Sequence, residues 1–234
     1  MLPVAFDINK HVNILVRILK EIYSDDRFNT FLGFKGGTAA MLFYKLDRGS
    51  VDLDFDLLDE RNEDLIMTEM PKLLSNFGKL IEATKKKNTL FFLLDYGYGI
   101  RKVKVEISKR KSLSRFEVKN YLGISMLVMN LEDAVSNKLC ALIKRSHFAS
   151  RDMYDLNFFL NQDIPLNKEI VRDITGMTLS EAYKRAADMV NKISESKILD
   201  GLGELIDRNK KVLVKKNLKS ELLFNLQLYI KKEG

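Results

Sequence analysis

The stretch KGGTAAMLFYKLDRGSVDLDFD, residues 35–56, decides the predicted fold and the predicted chemistry of this chain. A glycine pair precedes an apolar run with helical spacing, and a short polar turn follows the run. The chain then alternates apolar residues with Asp52, Asp54 and Asp56, which is the period of a strand with one polar face. A backbone that can approach phosphates, next to carboxylates on one strand face, is what metal-dependent handling of a nucleotide requires.

The acidic strand predicts a site for divalent cations. Asp52 and Asp54 are two residues apart, so their side chains share one face of the strand. Such a pair could bind two ions that hold the attacking and the leaving oxygen of a phosphoryl displacement. We expect Mg²⁺, because it prefers carboxylates, waters and phosphates, with Mn²⁺ as the alternative. The competing interpretation is a solvated acidic face of an amphipathic strand, although three like charges on one face repel each other.

The glycine pair predicts a phosphate-binding turn. A Gly-Gly pair by itself usually marks an ordinary turn. Here it lies between a strand predicted over residues 31–34 and a helix predicted over residues 38–44, whose N-terminus would favour an anion. The candidate nucleotide-binding residues at this turn are Lys35, Gly36, Gly37 and Thr38. Arg48 and Ser50 are further candidates for phosphate or metal-shell contacts, but their segment also has the composition of a plain turn.

Composition limits the class of protein. The chain has 234 residues, 46% of them hydrophobic and 30% charged, which is the profile of a globular protein with a sizeable core. No apolar run approaches the roughly 18 residues of a membrane span, and no secretory signal is visible, so we expect a cytoplasmic protein without a membrane partner. The one cysteine, Cys140, excludes an internal disulfide and is expected in the core. Neither histidine is a site candidate: we expect His11 on the polar side of the first helix, without a partner, and His147 near a helix end.

The net charge of +7 is spread unevenly along the chain. Residues 52–64 are acidic, whereas residues 208–219 contain six Lys or Arg and no acid. A basic surface suits a polyanion such as nucleic acid, because contacts to phosphates dominate the affinity. Lysine-rich runs are more often just solvated helix faces, so charge alone leaves both interpretations open.

The predicted elements change character after Met129. The first part is predicted to hold helices over residues 8–22, 38–44 and 63–77 and strands over residues 31–34, 51–57, 80–84, 89–96, 101–108 and 124–129. The second part is predicted to hold helices over residues 131–146, 151–161, 180–195 and 212–231, with Asn130 as an N-cap. The prediction is an α+β domain over residues 1–129 and a helical domain over residues 130–234, with a ligand cleft between them.

A third carboxylate is expected from a neighbouring strand. The segment RKVKVEIS, residues 101–108, alternates again and carries Glu106 as its single acid, on the polar side. Glu106 is therefore the candidate for a further metal ligand and for the base that activates an incoming hydroxyl. The alternative is a surface ion pair with Lys102 or Lys104.

These residues resemble a known family. The glycine pair followed by Asp52-Leu53-Asp54 is similar to motif I of the DNA polymerase β-like nucleotidyltransferases. More narrowly, the chain resembles the AbiEii/AbiGii toxin family, with its GGT, R-x-S and DLDF elements at residues 36–38, 48–50 and 52–55. A second block is similar in Lys138, Arg145 and the RD-x-x-D element at residues 151–155. The resemblance implies a polymerase β-like domain, a mixed sheet with flanking helices, and a C-terminal helical domain that completes the active site.

The resemblance also implies a function. A Mg²⁺-dependent nucleotidyltransferase would move a nucleoside monophosphate from an NTP to a hydroxyl of RNA, such as tRNA. The protein would be the toxin of a bacterial type IV-like toxin–antitoxin or abortive phage-infection system, with an antitoxin as a possible partner. Lys138 and Arg145, two helical turns apart, would contact the triphosphate, and Asp155 would position Lys138 or contact the nucleotide. The alternatives are nucleotidylation of a protein or small molecule, or a nucleotide-binding module that has lost catalysis.

Overall fold

The structure is a computed structural model that describes residues 7–97, 101–145 and 149–233. His147 and the end of the helix predicted over residues 131–146 lie outside these ranges. The chain divides into two compact units. The first comprises Met1–Lys45, Gly49–Lys111 and Phe116–Met129, and the second comprises Leu46–Arg48, Ser112–Arg115 and Asn130–Gly234. Across the three described ranges, no helix has the length and apolar character that a membrane span requires.

The described part of the first unit contains a mixed sheet of seven strands with flanking helices, which confirms the predicted α+β class. The helices are α1 (Ile8–Ser24), α2 (Gly36–Phe43) and α3 (Glu63–Ser75). The strands are β1 (Leu32–Lys35), β2 (Asp52–Leu57), β3 (Lys79–Lys85), β4 (Thr89–Asp95), β5 (Val103–Ser108), β6 (Phe116–Tyr121) and β7 (Ile124–Met129). Their order is β3-β4-β5-β2-β1-β7-β6, with β1 parallel to β7 and β2 parallel to β5.

The alternation of apolar and polar residues makes one face of this sheet the core. Leu53 and Phe55 of β2 and Val105 of β5 are fully buried, in one cluster with apolar residues of α1 and α3. Full burial of a side chain of this size contributes roughly 1.5–3 kcal/mol to stability. The residues between them, among them Asp54, point to the other face and stay partly exposed.

His11 has a different environment from the predicted one. Its side chain is fully buried, with Nδ1 2.7 Å from the Tyr96 hydroxyl and Nε2 2.9 Å from the Val51 carbonyl oxygen. Since a carbonyl oxygen can only accept, Nε2 carries the proton, and Nδ1 accepts from the tyrosine. The prediction of a polar, unpartnered histidine is wrong, because the turn before β2 and the end of β4 cover that side of α1.

The second unit contains helices α4 (Leu131–Lys144), α5 (Ser150–Leu160), α6 (Lys168–Thr175), α7 (Leu179–Asn191) and α8 (Arg208–Glu233). Asn130 caps α4 as predicted, since its side chain accepts a hydrogen bond from the Asp133 backbone N–H. Cys140 is buried. The alternation and the helical period of the sequence do not predict β6 or α6. The first is an edge strand with mixed polarity on both faces, and the second is only eight residues long.

Residues 112–115 belong to the second unit through a buried carboxylate. Asp133 is fully buried and accepts from the Arg115 backbone N–H at 2.6 Å, from the Arg115 guanidinium at 2.9 Å and from the Asn167 side chain at 2.8 Å. Burial by itself would raise the pKa of Asp133, but the hydrogen bonds of Arg115 and Asn167 outweigh burial and lower it. Asp133 therefore stays ionised and fixes the chain on both sides of α4.

Candidate active site

The predicted metal ligands lie on one face of the sheet. The parallel register of β2 and β5 places Asp54 opposite Glu106 and Asp52 opposite Lys104. Asp52, Asp54 and Glu106 are all partly exposed, whereas the residues that alternate with them are buried. Two strands that are far apart in sequence thus place the three carboxylates at neighbouring positions on a face that solvent can reach.

Lys35 has a carboxylate as its partner. Its ammonium lies 2.5 Å from Oδ1 of Asp56, which is 4% exposed. Within the described residues, Oδ2 of Asp56 is buried without a hydrogen-bond partner. Lys35, predicted to bind a nucleotide, therefore compensates the charge of the most deeply buried acid on β2.

Both the backbone conformation at position 36 and the neighbouring Asp54 require a glycine there. Its φ of +81° lies in the left-handed region that favours glycine. A Cβ at this position would overlap Oδ2 of Asp54. The first turn of α2 therefore packs directly against the Asp54 carboxylate, where the positive end of the helix dipole favours a negative charge. The glycine pair places backbone N–H groups next to the acids, at the end of β1.

Thr38 connects α2 to the acidic strand. Its hydroxyl donates to the carbonyl oxygen of Asp52 at 2.6 Å, and its side chain is fully buried. Gly37 is buried as well. The Thr38 hydroxyl is thus used within the protein, and what this turn can offer to a phosphate is its backbone N–H groups.

Arg48 lies in a buried ion pair of the second unit. Its Nε and Nη2 atoms are 2.5 and 2.7 Å from the two carboxylate oxygens of Asp155, and the two side chains are 2% and 0% exposed. This two-point contact uses the guanidinium in the geometry that suits a carboxylate best. Arg48 thus has a carboxylate partner within the protein, and its contact with a phosphate or a metal shell stays a prediction. Ser50 is also buried, at 4% exposed.

Asp155 holds a second cation. The ammonium of Lys138, on α4, lies 2.7 Å from Oδ2 of Asp155 and 3.4 Å from Oδ1 of Asp152. Burial by itself would raise the pKa of Asp155, but Lys138 and Arg48 outweigh burial and lower it. Arg145, whose side chain is half-exposed, contacts Asp152 at 3.1 Å. Arg145 follows the last residue of α4 with an extended backbone, so it does not share a helix face with Lys138 as predicted. The two cations are instead connected through Asp152 of α5.

The family follows from a match along most of the chain. A family model described as "Nucleotidyl transferase AbiEii toxin, Type IV TA system" matches residues 17–221. The chain belongs to the AbiEii family. It is thus a nucleotidyltransferase of a toxin family from type IV toxin–antitoxin systems, as its residues predict, and the family implies an NTP substrate and an antitoxin partner. No curated protein sequence matches the chain.

Solved structures share the fold of this AbiEii chain. The crystal structure of JHP933 from Helicobacter pylori matches with a TM-score of 0.63 and 22% identity, over 97% of this chain and 94% of that one. An antigenic nucleotidyltransferase-like protein from Paracoccidioides brasiliensis matches with a TM-score of 0.53 and 16% identity, over 88% of this chain and 93% of that one. At these identities the likeness establishes the fold.

Nucleotidyltransferases such as the AbiEii family generally use a divalent metal ion, and the acids of β2 and β5 are the candidate ligands. Within the described ranges, no cluster of three or more His, Cys, Asp or Glu side chains is preassembled as a metal centre. The donor set nevertheless suits a hard cation, because Asp52, Asp54 and Glu106 offer carboxylate oxygens at neighbouring, partly exposed positions. The phosphates of an NTP would complete the shell.

Proposed function

We propose that this AbiEii protein is a Mg²⁺-dependent, cytoplasmic nucleotidyltransferase that transfers a nucleoside monophosphate from an NTP to a hydroxyl of RNA, with tRNA as the candidate acceptor. In this proposal it acts as the toxin of its toxin–antitoxin system. The observation that carries the proposal is the register that pairs Asp54 with Glu106 on the partly exposed face of the sheet, beside the first turn of α2.

The three carboxylates have distinct roles in the proposed reaction. Asp52, Asp54 and Glu106 would hold the Mg²⁺, which would supply Lewis-acid stabilisation of the phosphoryl oxygens. Glu106 also accepts the proton of the acceptor hydroxyl. A bond forms between that oxygen and the α-phosphorus, the α–β anhydride bond breaks, and pyrophosphate leaves. The N–H groups of Gly36 and Gly37, at the N-terminus of α2, favour the phosphates of the NTP.

Two cations of the second unit keep the roles that the sequence predicts for them. We assign Lys138 and Arg145 to oxygens of the triphosphate. Asp155 orients Lys138 through the 2.7 Å contact, and Arg48 keeps Asp155 ionised. Asp155 and Arg48 are then positioning residues for a lysine whose side chain remains 17% exposed.

Surface charge supports RNA as the acceptor. The first turns of α8 carry Arg208, Lys215 and Lys216, all exposed, and no acid occurs between residues 208 and 220. Within the described residues these three side chains form no ion pair. Cations that are not compensated by the protein suit a phosphate backbone, since binding releases the counterions of the nucleic acid.

Transfer of label tests the proposal. The protein is incubated with labelled NTPs, Mg²⁺ and total RNA, and RNA, protein and small molecules are separated afterwards. We expect labelled RNA from the wild type and a loss of about 10²–10⁴-fold for Glu106→Gln, which lacks the proposed base. The exposed acid Glu82 of β3 provides the matched control, because Glu82→Gln leaves the three ligands intact.

Two outcomes would contradict the proposal. Label in protein or in a small molecule with RNA omitted would identify another acceptor while keeping the transferase. NTP binding by calorimetry without any transfer, together with equal behaviour of wild type and Glu106→Gln, would indicate a nucleotide-binding module without catalysis.

A further inference from the structure

One row of side chains crosses five strands on the acidic face of the sheet. The register pairs Lys35 with Asp54, Asp54 with Glu106, Glu106 with Phe91, and Phe91 with Thr84. Residues directly opposite one another in neighbouring strands are in side-chain contact range. Phe91 is therefore the neighbour of Glu106 on the side away from Asp54.

Phe91 lies outside the core of the first unit. It alternates along β4 with Leu90 and Phe92, which are fully buried on the other face, and it is itself only partly buried. Neither Phe91 nor Leu93, two residues further on, belongs to the core cluster or to the apolar residues packed against it. The strand next to Glu106 thus presents an aromatic ring at the surface that carries the acids.

One lysine contacts this ring, and a second lysine lies on the same face of the sheet. The ammonium of Lys86 lies 4.2 Å from the centroid of the Phe91 ring, and the Lys86 side chain is exposed. Lys104, on the same face of β5, is exposed and lies opposite Leu93. An aromatic platform with cations beside it is the arrangement by which proteins bind single-stranded nucleic acid, because bases stack on the ring and lysines contact phosphates.

The strand order indicates on which side of the acids the NTP and the acceptor would bind. The N-terminus of α2, which favours the phosphates of the NTP, lies against Asp54 next to β1. The attacking and leaving oxygens of a phosphoryl transfer are in line, on opposite sides of the phosphorus. A leaving pyrophosphate on the β1 side therefore requires the attacking hydroxyl on the opposite side, where Glu106 and then β4 follow.

We propose that Phe91, Lys86 and Lys104 form the subsite for the acceptor, a single-stranded end of a polynucleotide. A base near the reacting hydroxyl stacks on the Phe91 ring, and the two lysines contact phosphates. This inference rests on the proposed function, since it assigns the acceptor of the same reaction. It adds the residues that select a polynucleotide over a protein or a small molecule.

Binding of a fluorescein-labelled single-stranded RNA oligonucleotide, followed by anisotropy, tests the subsite independently of turnover. We expect Phe91→Ala to weaken binding by about 10-fold, because stacking of one base is lost, and Phe91→Trp to restore it. Lys86→Gln should lower the slope of log K against log salt by about 0.7, the share of one phosphate on a single strand. Circular dichroism checks that each variant is folded.

Two residues provide matched controls. Lys85 precedes Lys86 but is bound to Glu63 and Asp64 at 3.1 Å, so Lys85→Gln should leave the salt slope unchanged. Phe224 of α8 is 61% exposed and far from β4 in sequence, so Phe224→Ala should bind the oligonucleotide as the wild type does. In turnover assays, Phe91→Ala should raise the KM for RNA and leave the KM for NTP unchanged.

The outcomes separate the subsite from the function. If the wild type labels RNA but Phe91→Ala and Lys86→Gln bind the oligonucleotide as the wild type does, the subsite is wrong and the function stands. A raised KM for NTP in Phe91→Ala would also overturn the subsite. If the wild type labels no RNA, the proposed function fails, while a binding loss confined to Phe91→Ala and Lys86→Gln would still support the surface.

Discussion

Charged residues meet in two clusters, one in each unit, and the two clusters differ in their exposure. Asp52, Asp54 and Glu106 of the first unit are partly exposed on the sheet. In the second unit, Asp155 is 0% exposed and lies between the cations Arg48 and Lys138. An ion can approach carboxylates that solvent can reach, whereas a buried carboxylate needs its compensating charges from the protein itself. The exposed carboxylates are therefore the candidates for catalysis, and the buried carboxylate stabilises the fold.

The largest effect is expected where the buried cluster is broken. Asp155→Asn removes the buried negative charge that lies between Arg48 and Lys138, so the free energy of unfolding should fall by about 3–5 kcal/mol. Urea unfolding followed by circular dichroism measures the change. The control is Asp163→Asn, because Asp163 pairs with Lys232 at the surface, where solvent screens the ion pair and its contribution to stability is small. Equal effects of the two variants would contradict the comparison.

The exposed cluster should respond in activity and hardly in stability. Asp54→Asn removes a proposed metal ligand, so we expect nucleotidyl transfer to fall at least about 10²-fold. Because Asp54 is partly exposed beside other acids, the free energy of unfolding should change by no more than about 1 kcal/mol. Parallel measurements of label transfer and urea unfolding check both values. A loss of stability as large as that of Asp155→Asn would place Asp54 among the structural charges.

The contact between α2 and the acids can be tested by comparing two glycines that have the same backbone φ angle. Gly36 and Gly123 both have φ of +81°, which costs a side chain about 1–2 kcal/mol. A Cβ at Gly36 would also overlap the Asp54 carboxylate, whereas a Cβ at Gly123 would meet nothing within 4 Å. Gly36→Ala should therefore lower the melting temperature more than Gly123→Ala does. Equal shifts would mean that backbone strain alone requires Gly36.

The sequence predicts the exposed cluster better than the buried one, for a physical reason. Alternation along β2 and β5 is a local property, so it indicates which side of each strand Asp54 and Glu106 occupy. The contact of Arg48 with Asp155 joins residues 107 apart, and no local period encodes such a pairing. The sequence therefore predicts contacts of Arg48 with phosphate or a metal shell but not its buried carboxylate partner.

The same limit applies to residues that only packing can place. The glycine pair is visible in the sequence, but the overlap of a Gly36 side chain with Asp54 depends on how α2 packs on β2. The partners of His11 are 40 and 85 residues away, so helical period puts the histidine on a polar side that the fold buries. The edge strand β6 is missed because neither of its faces is uniformly apolar.

The smallest expected effect is a pH dependence of stability that comes from His11. Burial lowers the pKa of His11 from its ordinary 6.5, more than the Val51 carbonyl raises it. Below pH 6.5 the unfolded chain therefore binds a proton that the folded chain does not, so stability that is present above pH 6.5 is lost as the pH falls towards the folded pKa. The slope from this group is at most about 1.4 kcal/mol per pH unit.

His11→Gln isolates this contribution, because the amide can donate to the Val51 carbonyl and accept from the Tyr96 hydroxyl without titrating. The difference in free energy of unfolding between wild type and variant, measured from pH 7.5 to 5, should move in favour of the variant as the pH falls. All other titrating groups are common to both chains and cancel in that difference. A constant difference across the range would mean that the imidazole takes up its proton equally in both states, in conflict with its burial between α1 and the start of β2.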